Sequence, residues 1–288
     1  MTINRYQLFQ LFKYGIYSLL ALNVYLFFME EWSAALVQYP HGIPGSNVIE
    51  AYAATIDTMA WLVLLLMFET ETNILSDEHF TRPVVWTLHG LRLFCYTFIV
   101  YAFYGYIVNL EFVSVTNLAD GISNLCSIVD GNWTYAVTLD QYEVITAENC
   151  DTFSSANTFF QYAGMPTLVD QSSYTEIFRL AWVDVINAGV WLLVVLNLEI
   201  DVRLQERGKL EGLILRISNT SKFFIYAILF LAAVYWGFKG DFVDFWDAFL
   251  WLVAFVFIEM NVFNWREETA RNQTLAVLSQ EARLKPGI

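Results

Sequence analysis

Histidine is the scarcest chemically useful residue in this chain, with 3 in 288 residues, at positions 41, 79 and 89. No two of them share one apolar helix, and there is no CxxCH, phosphate loop or glycine fingerprint, so haem ligation and nucleotide chemistry have no foothold. No Ser/His/Asp grouping falls at one membrane depth, and the sequence predicts a protein that is not an enzyme and carries no cofactor or metal. Proline is nearly as scarce: the 5 prolines stand at 40, 44, 83, 166 and 286, none inside a long apolar segment. Sites built on unwound mid-membrane helices are usually marked by Gly/Pro interruptions, so this pattern predicts continuous, rigid helices. Charge is the third shortage. Charged residues make up 15% of the chain against about a quarter in soluble domains. Only 15 are Lys or Arg against 29 Asp or Glu, a net charge of −14 that excludes nucleic acid as a partner.

What fills the chain instead is hydrocarbon and aromatic surface: 57% hydrophobic residues and 17% Phe, Trp and Tyr. Six segments are long and apolar enough to cross about 30 Å of lipid, roughly 12–35, 49–72, 84–110, 176–202, 217–238 and 243–265. With the N-terminus inside, 13 of the 15 Lys and Arg fall on the cytoplasmic face, all but Arg179 and Lys239. The expected location is a bacterial inner (plasma) membrane with both termini cytoplasmic. The lipid bilayer is then the first partner, and a homo-oligomer or larger membrane complex a further one. No small-residue cleavage site follows the first apolar run, so that helix is expected to stay.

A pattern recurs three times. A cation followed four residues later by Tyr opens one helix: Lys13/Tyr17, Arg92/Tyr96 and Lys222/Tyr226. A Trp-Leu pair with Glu eight residues after the Trp closes the next: Trp61…Glu69, Trp191…Glu199 and Trp251…Glu259. Four residues before each Trp stands Asp57, Asn187 or Asp247. The predicted fold class is therefore an all-α polytopic membrane protein. Its six transmembrane helices form three tandem hairpins, about 1–75, 80–205 and 210–266. Residues 1–110 would hold the first hairpin and helix 3, 111–175 an extracytoplasmic insertion, 176–266 helices 4–6, and 267–288 a cytoplasmic amphipathic helix. Residues 4–12 read as a short interfacial helix. The tandem layout resembles that of mitochondrial carriers, whose Pro-x-acid-x-x-base signature this chain lacks.

The insertion contains no Lys or Arg, and Cys126 and Cys150 both lie in it. On the oxidising side of a membrane they are expected to form a disulfide. Alternation of Val, Thr and Tyr near 133–138 predicts a strand or hairpin.

Intramembrane charges are costly and mark function or assembly. Lys13, Arg92 and Lys222 share a depth with Glu69, Glu199 and Glu259, which predicts inner ion pairs that anchor helices or form a gate. Glu71 and Asp201, two residues further on, turn about 200° away and are expected to face headgroups or solvent. Near the opposite ends, Asp57, Asp184 and Asp247 are the candidate ion pathway; capping of helix N-termini is the plainer role, and the expected one for Asp244. Two functions follow as expectations. One is a cation- or proton-conducting channel or transport component with an acidic outer vestibule. The other is a non-catalytic structural or accessory subunit of a larger membrane complex.

Overall fold

The computed structural model describes residues 5–71, 81–154, 156, 158–207, 212–239 and 242–257. Four of its helices are long and apolar enough to cross a membrane, and a fifth span results if one bent pair counts as a single crossing. Helix α1 runs Arg5–Gln38, so the residues expected to form a separate interfacial helix are its continuous first turns. After a turn at Gly45–Asn47 come α2 (Val48–Ala51) and α3 (Ala53–Glu69), then α4 (Arg82–Ser114). Helices α6 (Gln171–Glu206) and α7 (Gly212–Lys239) follow the sheet, and α8 occupies 242–257. Glu259 and the expected C-terminal helix 267–288 lie outside the described residues.

The expectation of unbroken helices fails at one place. Helices α2 and α3 meet at 72°, with Tyr52 between them out of helical geometry at φ −130 and ψ 36. Neither Pro nor Gly causes this bend. The Glu31 carboxylate on α1 accepts from the backbone N–H groups of Ala54 and Thr55 at 2.7 and 3.0 Å, and from the Thr55 hydroxyl at 2.6 Å. A tertiary acid thus satisfies donors that a helix start leaves open, so α3 begins afresh there. Opposite the break, α4 presents Gly105. A Cβ there would stand 3.1 Å from that of Ala53 and 3.3 Å from the Ile49 carbonyl, so glycine lets the helices approach closely.

Between α4 and α6 lies a five-stranded sheet: β1 (Thr116–Leu118), β2 (Thr134–Ala136), β3 (Tyr142–Val144), β4 (Phe159–Tyr162) and β5 (Thr167–Asp170), in the order β1-β4-β5-β2-β3. The β2–β3 hairpin is antiparallel and covers the stretch where alternation predicts strands; β2 also pairs with β5 in parallel. Cys126 and Cys150, the latter opening the short α5 (Cys150–Phe153), are joined as a disulfide. Cys95 is a buried free thiol on α4.

Strand β5 runs directly into α6 through Asp170. Its Oδ1 accepts from the N–H groups of Ser172 and Ser173 at 2.6 and 2.9 Å, and its Oδ2 from the Tyr135 hydroxyl at 2.7 Å. That N-cap ties strands β2 and β5 to the helix start. Burial pushes the Asp170 carboxyl up, but the bonds from Tyr135, Ser172 and Ser173 outweigh it and hold it below the usual range. Burial, and to a smaller degree the Asp170 carboxylate, push the Tyr135 phenol up to about 12.

A core joins the sheet to the bundle, with Val113, Tyr162, Val169, Ile177, Trp236 and Ala248 buried in it. A second core fills the bundle away from the sheet, around Leu20, Trp61, Leu65, Trp191, Leu229, Leu250, Trp251 and Phe255.

Candidate functional site

Where the bundle meets the sheet, a cavity of about 300 Å³ opens among the helices. Eight carboxylates line it: Glu30, Glu31, Glu50, Asp57, Asp140, Asp184, Asp244 and Asp247. None of the described residues on its wall is Lys, Arg or His. The acids come from α1, α2, α3, α6, α8 and the loop after β2, so the whole fold converges on them. Leu139 and Met165 from the sheet region complete the wall on that side.

Asp57, Asp184 and Asp247, expected as an ion pathway, all stand on this wall. Asp57 and Asp247 lie within electrostatic range of each other. Each also meets the indole of the Trp four residues further along its own helix, Trp61 and Trp251, as i,i+4 spacing allows. Asn23 of α1, fully buried, donates its Nδ2 to the Asp247 Oδ1 at 2.9 Å. Its own Oδ1 has no partner, and neither has the Oδ1 of Asn187 on the wall. Tyr106 of α4 is close enough to Asp57, Glu31, Asp184 and Asp244 to feel all four. Two unlike charges or two like charges 4 Å apart near a protein surface interact by about 4 kcal/mol. Eight carboxylates around one small volume therefore demand protons or cations.

The wall ends on a layer of indoles. Trp61, Trp191 and Trp251 touch one another with ring centroids 5.7, 6.2 and 6.3 Å apart, and Phe255 lies 4.7 Å from Trp191. Beyond this layer the bundle axis is packed with buried Leu20, Leu65, Leu250 and Ala254. Glu199 is not on the cavity wall.

At the far end of the bundle the described acids Glu69, Glu71, Glu199 and Asp201 are paired. Lys13 and Glu69, 1% and 2% exposed, form an ion pair at 2.5 Å. The hydroxyls of Tyr14 and Tyr17 also donate to Glu69, at 3.1 and 3.3 Å. The other two cations meet acids other than Glu69 and Glu199; Glu259 lies outside the described residues. Arg92 binds both oxygens of Glu71 at 3.0 and 2.7 Å, and Lys222 binds Asp201 at 3.0 Å, with the Ser218 hydroxyl on the same oxygen. Glu199 pairs with Arg203 on its own helix. The physical reason is the 200° turn between residues i and i+2. Glu69 faces α1 of its own pair, while Glu71 and Asp201 face the helix that follows, α4 and α7, rather than headgroups or solvent.

No protein-family model, no curated protein and no solved structure matches this chain. Its chemistry must be read from these side chains. Sequence reasoning found Asp57, Asp184 and Asp247 from their place in apolar helices. It missed Glu31, Glu50, Asp140, Asn23 and Tyr106. For Glu30–Glu31 a signal was available, since two adjacent acids at the end of an apolar run are costly unless something there uses them.

Proposed function

We propose that the protein is a cation- or proton-conducting transport component of a membrane, with its acidic vestibule on the outer face. In this reading the bundle is six spans in three tandem hairpins, both termini are cytoplasmic, and the sheet region is extracytoplasmic. The observation that carries the proposal is the cavity: eight carboxylates on its wall and no described base among them. A structural bundle gains nothing from eight like-charged groups around one cavity, because their mutual repulsion destabilises it. Lys and Arg sidedness supports the orientation. The mutual contact of Trp61, Trp191 and Trp251, one per expected hairpin, supports the triplication.

The packed indole layer and the buried Lys13–Glu69 pair make this a form closed toward the cytoplasm. Conduction then requires the layer to part, with Asp57, Asp184 and Asp247 receiving the ion before it does. The same closed floor also favours a second reading, a non-catalytic subunit that holds partners in a larger membrane complex.

Flux separates the two. In proteoliposomes under a cation or proton gradient, the wild type conducts, and Asp57→Asn and Asp184→Asn each lower the rate at least about tenfold. Equal flux in all three proteins, or none in any, overturns the proposal and leaves the accessory reading.

A further inference from the structure

On one side the wall of the cavity is a single short segment. Residues 43–51, which hold the turn at Gly45–Asn47 and α2, put Asn47, Glu50 and Ala51 on that wall. Their other side is open: Pro44, Gly45 and Ser46 are exposed, and so is Val48 at 40%. At this point nothing else separates the acids from the surroundings.

Both ends of the segment are places where the chain turns. Gly42 stands at φ +95, where a residue with a Cβ is strained, and its N–H bonds to the Tyr39 carbonyl at 2.9 Å. At the other end Tyr52 leaves helical geometry and α2 meets α3 at 72°. In a continuous helix the N–H groups of Ala54 and Thr55 would bond back to the carbonyls of Glu50 and Ala51. Glu31 takes both, and the Ile56 N–H then bonds to the Tyr52 carbonyl at 3.0 Å. The start of α3 is thereby fastened to α1, so α2 can move without costing α3 either bond.

The polar side chains of the segment bond to one another. Ser46 donates to Asn47 and Asn47 to Glu50, both at 2.7 Å, and Asn47 also meets the hydroxyl of Tyr39 beside the Gly42 turn. What holds α2 down is packing: the Tyr52 ring stacks on Phe28 of α1 at 5.7 Å, and Gly105 of α4 lets Ile49 and Glu50 lie close. Pieces of chain hinged at element ends in this way are a common means of closing a ligand site.

We propose that residues 43–51 are a flap over the acidic cavity, swinging about Gly42 and Tyr52 to open it at the sheet end. This rests on the conduction reading above and gives that path an outer gate, opposite the tryptophan layer.

The test follows labelling of Asn187→Cys by a cationic thiosulfonate, in a Cys95→Ala background in nanodiscs, with Leu65→Cys as the marker of general loosening. Tyr52→Ala removes the stack, and Gly105→Leu drives a side chain under α2. Each raises the rate at 187 at least about fivefold, because the rate follows the open fraction, and leaves 65 unlabelled. A rate at 187 that neither variant changes, or labelling at 65 that rises with it, overturns the proposal. Should both variants fail to fold, judged by gel filtration and near-UV circular dichroism, hydrogen exchange on the unsubstituted chain decides. A helix as short as α2 cannot keep its bonds once off its support, so the Tyr52 amide exchanges at least about tenfold faster than those of Thr55 and Ile56. Equal protection of the three overturns the flap. Faster labelling in the variants of a protein that shows no flux in proteoliposomes keeps the flap and removes the conduction reading. Flux with labelling that neither variant changes does the reverse.

Discussion

At the far end of the bundle Glu69, Glu71, Glu199 and Asp201 each have a cation within 3.0 Å, supplied by Lys13, Arg92, Arg203 and Lys222. At the sheet end, eight carboxylates surround one cavity and no described cation lines it. Both ends belong to the same helices: on α3, Asp57 and Glu69 are twelve residues, or about 18 Å, apart. The sheet end has an ion pair too, Lys239 with Glu176, but it stands off the cavity wall. Pairing at the far end accounts for helix association and closure. On the cavity wall no described base offsets the acids, and this is the contrast on which the proposed cation conduction rests.

The largest effects should come from breaking a pair where pairing is structural. Glu69→Gln leaves the Lys13 ammonium buried without its counter-charge and should destabilise the protein by about 3–5 kcal/mol in thermal or denaturant unfolding in detergent. Lys13→Met combined with Glu69→Leu should recover most of that loss. If Asp57→Asn costs as much stability as Glu69→Gln, the contrast between the ends is broken.

An intermediate effect is expected at Asp170, where an acid at the junction of β5 and α6 is satisfied by hydrogen bonds rather than by a cation. Asp170→Ala removes the α6 cap and should cost about 1–2 kcal/mol, seen as earlier melting of the sheet region. The sign of the pH dependence follows from the folded carboxyl being held low. The stabilisation is complete above the ordinary carboxylate value near 3.9 and disappears as the pH falls through the lower folded value. Wild type should therefore lose stability between about pH 4 and pH 2 by more than Asp170→Asn does.

The smallest effect belongs to the exposed pair. Arg203→Ala cuts an i,i+4 contact with 68% and 47% of the two side chains open to surroundings, and should change stability by no more than about 0.5 kcal/mol. A loss comparable to that of Glu69→Gln would mean that Glu199 carries a hidden interhelical role.

Apolar length and the paired cysteines made four helices long enough to span a membrane, and the disulfide, legible before any coordinates. Asp57, Asp184 and Asp247 stood out because acids inside apolar helices are rare. Other parts of the site are tertiary and leave no local trace. Glu31 reaches across 23 residues of chain to start α3, and a break that neither Pro nor Gly marks cannot be read from α3's own residues. That Arg92 meets Glu71 and Lys222 meets Asp201 was not legible for a related reason. Spacing fixes depth along a helix, but which neighbour a side chain faces depends on how the helices pack around one another.

The difference between the two ends is tested most directly by thiol chemistry in a Cys95→Ala background, where the remaining cysteines are joined to each other. Asn187→Cys places a thiol on the cavity wall and Leu65→Cys one in the packed axis beyond the indoles. A membrane-impermeant cationic thiosulfonate should label position 187 at least about tenfold faster than its anionic counterpart, because the acidic cavity concentrates cations, and should leave position 65 unlabelled. Equal rates for the two reagents at 187, or labelling at 65 as fast as at 187, would contradict an acidic, cation-selecting cavity closed by the tryptophan layer.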